Sequence, residues 1–194
     1  LLKKIIQYGM KKINNVISVV SNIVIVGIIC VVSLFCFYNP IIAQNCNTVI
    51  NGCIYAGDLN SNKVSLMINV YWGTEYIEPI LKILDEKQVK CTFFVGGTWV
   101  EQEPNLLRQI YDAGHEVASH GYSHKEHEKL TLEQNLAEMQ KTHDLVKATL
   151  GTDIKLFAPP GGSYNKYTVE ASEAMGYKTI MWTRDTIDWR DQDT

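Results

Sequence analysis

From Lys63 onward the chain alternates short β-branched or aromatic runs with longer amphipathic ones, and this alternation limits what it can fold into. It predicts strands at 64–70, 89–95, 115–119, 155–158 and 177–183, with helices at 75–86, 104–112, 132–150 and 166–175. The third helix is the clearest. Leu132, Leu136, Met139, His143, Val146 and Leu150 recur at helical spacing, Thr131 with Gln134 forms a capping box, and Gly151 ends the segment. On that stripe His143 reads as a core histidine. Strand, helix, strand, helix implies parallel strands joined by right-handed crossovers, hence an α/β fold with either an open sheet or a β/α barrel.

In such folds chemistry gathers at the carboxyl ends of the strands. Those ends carry Asn69 with Trp72, then Gly96, Gly97 and Thr98, then Ser119 and His120. They continue with Pro159, Pro160, Gly161 and Gly162, and then Asp185 with Asp188 and Trp189. Taken singly, each is a turn or a cap. Together, at these spacings, they describe one functional rim. On it His120 and His124 stand four apart across Gly121 and Ser123, a spacing that lets two imidazoles face one metal ion. A loop with two solvated histidines is the plain alternative for that motif alone.

The region before Lys63 is of another kind. No Asp, Glu, Lys or Arg occurs between Lys12 and Asp58, and residues 16–38 hold 18 apolar residues of 23. As a helix this run would be roughly 34 Å long, enough to cross a bilayer. Lys3, Lys4, Lys11 and Lys12 precede it, which places 1–15 in the cytoplasm and the rest outside. A cleaved signal with processing near Ala43, giving a secreted protein, is the competing reading. Either way the working domain is extracytoplasmic. Residues 39–62, rich in Asn, Ser and Gly, read as a tether, in which Cys46 and Cys53 form either an external disulfide or two unremarkable small residues. A net charge of -3 without a basic patch argues against nucleic acid as a partner. The first residue is Leu1 and the last Thr194, as expected of a piece of a longer protein.

The residues from Lys63 to the end resemble the polysaccharide deacetylases that share the chitooligosaccharide deacetylase homology domain. The likeness rests on 90–96 (Lys-Cys-Thr-Phe-Phe-Val-Gly), 114–124 (Gly-His-Glu-Val-Ala-Ser-His-Gly-Tyr-Ser-His), 157–162 (Phe-Ala-Pro-Pro-Gly-Gly) and 182–189 (Trp-Thr-Arg-Asp-Thr-Ile-Asp-Trp). It implies a distorted (β/α) barrel, incomplete at its carboxyl end and preceded by the apolar helix. The implied activity is metal-dependent removal of acetyl groups from N-acetyl sugars of cell-wall polysaccharide, peptidoglycan or chitin-like. It also implies a divalent ion, often zinc, held by one Asp and two His, and an Asp as general base. His120 and His124 match the metal histidines, Gly162 the backbone donor to the oxyanion, and Asp188 the residue that orients a late general-acid His. Trp189 matches a wall of the sugar groove; Trp72 and Tyr122 are further candidates for sugar contact.

The first motif departs from this pattern. The family typically reads Thr-Phe-Asp-Asp-Gly where this chain reads Met-Ile-Asn-Val-Tyr at 67–71. Asn69 stands in the place of the base and Val70 in that of the third ligand, while Ala158 replaces the Arg that pairs with the base. Asn takes up no proton at neutral pH and an isopropyl group binds no metal. Glu75 and Asp185 are candidate substitute carboxylates. The altered motif resembles a membrane-anchored subgroup of endospore-forming bacteria, and so associates the chain with sporulation. Two expectations follow: a weak or modified deacetylase acting on cell-wall glycan, or a glycan-binding module of the same fold without catalysis.

Overall fold

The computed structural model describes residues 20–21, 24–28 and 48–187. The chain divides into two units, 1–47 and 48–194. In the first, 20–21 and 24–28 are helical. Among the described residues no helix is long and apolar enough to cross a membrane; most of the 16–38 run lies outside them.

The second unit is an α/β sheet with helical crossovers. In chain order it contains β1 (Val49–Ile50), β2 (Cys53–Ile54), β3 (Met67–Val70), α1 (Ile77–Glu86), β4 (Thr92–Val95), α2 (Gly97–Gln102), α3 (Pro104–Asp112) and β5 (Glu116–Ser119). After a short 3-10 turn at His127–Lys129 come α4 (Leu132–Leu150), β6 (Leu156–Phe157), a second 3-10 turn at Pro160–Gly162, α5 (Lys166–Ala174) and β7 (Lys178–Ile180). The strands are ordered β1-β2-β7-β6-β5-β4-β3. All pairs are parallel except the β1–β2 hairpin. Among the described residues β1 and β3 are the two edges, so the expected barrel is seen as a sheet whose ends are not joined.

Three elements differ from expectation. Residues 49–54, read as tether, form the hairpin whose second strand pairs with β7. Their two-residue strands are too short to show a period. Cys53, within it, is fully buried with a free thiol; Cys46 lies outside the described residues. The first long strand starts at Met67, not 64, because Val64 is almost fully exposed. Helix α2 was not expected, since it opens on Gly97.

Register decides which side chains share a face. Val70, Val95, Ser119 and Phe157 lie side by side across β3 to β6, and Val70, Val95 and Phe157 join the main core with Trp99, Met139 and Val146. One residue back, Asn69, Phe94 and Ala118 form the neighbouring row on the opposite face. There Phe94, Ala118 and Ala158 pack with Met67, Leu156 and Ile180. The sheet therefore has a helix-covered face and a second apolar face at whose β3 end Asn69 is exposed.

Candidate functional site

The site stands just past the carboxyl ends of β3, β4 and β5. His120 follows β5, and the period of two puts it on the Asn69 face. It is almost fully buried, and its Nδ1–H donates to the Ala158 carbonyl at 2.8 Å. A carbonyl only accepts, so Nδ1 carries the proton and Nε2 keeps a lone pair. Burial holds the ring neutral, with its pKa pushed down to about 4 against the opposing pull of the Ala158 carbonyl. The His124 ring lies 5.2 Å from that of His120, centroid to centroid, at 64°. His124 has φ +53, a left-handed conformation costly for a residue with a Cβ, and burial lowers its pKa as well. The two predicted imidazoles are brought together.

Glu138, reaching in from α4, fixes the loop between them. Its carboxylate accepts from the Tyr122 amide at 3.1 Å, the Ser123 amide at 2.8 Å and the Ser123 hydroxyl at 2.7 Å, and pairs with Lys125 at 2.8 Å. Burial pushes its pKa up, but Lys125 and Ser123 outweigh that and bring it below the usual value. Next to it His127 is wholly buried and donates from Nδ1 to Asn135 Oδ1 at 2.6 Å. Sequence reasoning missed Glu138 and Asn135 because a polar residue in an amphipathic helix reads as solvated. Helix α4 buries Asn135, Glu138, Met139, Thr142 and Val146, so the buried stripe keeps Met139 and Val146 of the expected one, with Leu132, Leu136 and Leu150 packed at its side, and adds polar residues next to them. His143 sits at its margin, bonded to the Tyr177 hydroxyl at 2.6 Å and to Asp153 at 3.1 Å, far in role from a ligand.

On the β3 side the sequence supplies aromatic rings. Tyr71 lies over His124, centroids 4.4 Å apart and planes 30° apart, and Trp72 stands 5.1 Å from Tyr71 and 5.7 Å from His124. Trp72 is 75% exposed. Tyr71 was also missed; the alternation of β3 carried one residue past its end at Val70 was the available signal. Glycine at 96 makes room for it, because a Cβ there would fall 2.6 Å from Tyr71 Cδ2. Tyr122 goes elsewhere: its ring packs on Gly97 under Lys141, and its hydroxyl donates to Glu101 at 2.8 Å.

Several expected roles meet a different geometry. Val70 is 4% exposed and packed in the main core, on the face opposite His120. The Gly162 amide donates to the Pro159 carbonyl at 3.0 Å, inside its own turn, so it is not presented to an oxyanion. The Glu75 carboxylate folds back on the Thr74 amide and Asp185 on the Ile187 amide. Asp188 and Trp189 lie outside the described residues. For metal, the donors are two imidazoles. Among the described residues no group of three or more His, Cys, Asp or Glu could hold an ion, one short of the three protein ligands usual for catalytic zinc, so the donor set does not fit that ion.

Comparison with known proteins agrees with this geometry. Residues 56–180 match the family described as polysaccharide deacetylase. The chain is 41% identical over 137 residues to the YlxY protein of Bacillus subtilis, covering 71% of this chain and 43% of that one. It is 26% identical to the peptidoglycan-N-acetylmuramic acid deacetylase PdaA of the same organism, covering 70% and 52%. Among solved structures it is similar to wild-type BA3943 of Bacillus anthracis, a CE4 family pseudoenzyme, at TM-score 0.71 and 39% identity, covering 73% of this chain and 50% of that one. A mutant of BA3943 with restored enzymatic activity matches at TM-score 0.71 and 37% identity, covering 73% and 52%. The chain spans about half the length of the curated relatives it matches.

Proposed function

The chain belongs to the polysaccharide deacetylase family, and from that premise we propose that it binds N-acetylated cell-wall glycan with the deacetylase fold while carrying out little or no hydrolysis. Val70 carries this reading. Its isopropyl group belongs to the hydrophobic core where the family's third ligand is expected, so the histidine pair stands without its carboxylate. Asn69 in place of the base and Ala158 in place of its cationic partner point the same way, since the charge and its counter-charge are lost together and neither is stranded. A pseudoenzyme among the similar structures supports it further. The substrate class, N-acetyl sugar polymer of the peptidoglycan kind, is carried over from relatives named as peptidoglycan deacetylases. The apolar run at 16–38 behind four lysines supports attachment to the cell membrane with the domain outside.

A second reading, residual metal-dependent deacetylation, is favoured by the preserved His120–His124 pair with its bare Nε2. One experiment separates them. The full chain is incubated with acetylated glycan oligomers, with zinc or cobalt and with chelator, while binding and acetate release are followed. The expected result is binding that ignores chelator, with no acetate above background. Acetate release that needs metal and vanishes in both His120→Ala and His124→Ala establishes the second reading instead.

A further inference from the structure

The rings at the end of β3 are held more firmly than a solvent-exposed loop requires. Tyr71 rests on Gly96, the residue just past β4, and its hydroxyl donates to the Ser123 carbonyl at 3.4 Å. The buried Trp99 indole donates from Nε1 to the Gly73 carbonyl at 2.9 Å, pinning the turn just after Trp72. Gly73 takes φ +77 there, a turn conformation that suits glycine. His124, whose ring lies against Tyr71, has a left-handed backbone at φ +53. The result is three rings in mutual contact, one of them 75% exposed, set by contacts that survive without any ligand.

We infer that Tyr71, Trp72 and His124 form a preorganised platform that takes the apolar face of one pyranose ring of an N-acetylated glycan, with no metal ion taking part. A pyranose has axial C–H groups that pack on the electron-rich face of an aromatic ring, while its hydroxyls stay at the rim. The exposed Asn69, two residues before Tyr71 near the end of β3, offers that rim a donor and an acceptor. A purely apolar partner would leave the exposed Asn69 amide without a counterpart. A rigid platform also loses little entropy on binding, which suits a weakly adhesive sugar.

This rests on the glycan-binding reading above, and the test keeps the two apart. Binding of tetra-N-acetylchitotetraose and of soluble peptidoglycan fragments to the full chain in detergent is measured by calorimetry, with and without chelator. Trp72→Ala and Tyr71→Ala are each expected to weaken binding about tenfold, and Tyr71→Phe to keep it within about twofold. Chelator is expected to change nothing. Thermal melts check each variant, and the exposed Trp72 keeps the result readable should Tyr71→Ala unfold. Glycan binding that is indifferent to both alanine variants, or that chelator abolishes, overturns the platform and leaves glycan recognition standing. No binding of either glycan overturns both.

Discussion

Val70 and His120 lie within a few residues of the same strand ends, yet the sheet treats them oppositely. Val70 points into the main core, so an acid there has neither water nor partner. Val70→Asp is expected to lower unfolding free energy in chelator by on the order of 3 kcal/mol, read from urea denaturation; an unchanged midpoint contradicts its core position. His120 is polar but kept neutral by burial, with a folded pKa of about 4 against an unfolded value near 6.5. Above pH 6.5 both states are neutral and the group does not affect stability. As pH falls from 6.5 toward 4 only the unfolded chain takes up the proton, so stability drops across that window, by an amount approaching about 3 kcal/mol. His120→Gln should flatten this part of the profile. Superimposable profiles from pH 7 to 4.5 would show that His120 is not buried as a neutral ring. His115, His124 and His127, also lowered by burial, push in the same direction and remain in the variant.

At the level of elements, α4 does more than cover the sheet. Glu138 on its inner side is the shared acceptor for the 122–125 segment, and it keeps His124 where Tyr71 can meet it. Glu138→Ala leaves two amides and a hydroxyl unpaired, a loss of about 2 to 3 kcal/mol. Glycan affinity should fall with it, because the His124 side of the platform loosens. Full affinity in a folded Glu138→Ala protein would show that the loop holds itself. The alternation of strands and helices and the His120–His124 pair could be read from the sequence, because both depend on local spacing. Glu138 and Asn135 could not, since their burial depends on which loop crosses α4. Tyr71 was legible only in part: alternation reaches it, but its packing on Gly96 is set by register and not by sequence distance.

For the domain as a whole, the question is where it begins. The alternating pattern starts at Lys63, but β2 adds itself to β7 and sends Cys53 against Val169 and Met181, sealing the small second core. Strand β7 would otherwise be an edge, with a row of unpaired amides and carbonyls open to another chain. Two fragments make the point testable, one spanning 48–194 and one 63–194. The shorter loses the burial of Cys53 and the cover over Met181 and Val169, worth about 3 kcal/mol at 25 cal/mol per Å² of apolar surface, or about 10 °C in Tm for a domain of this size. The longer fragment is expected to unfold in one cooperative step and stay monomeric, while the shorter melts earlier and self-associates through β7. Equal melting temperatures and equal monodispersity by light scattering would mean that the hairpin is an ornament and that the domain does begin near Lys63.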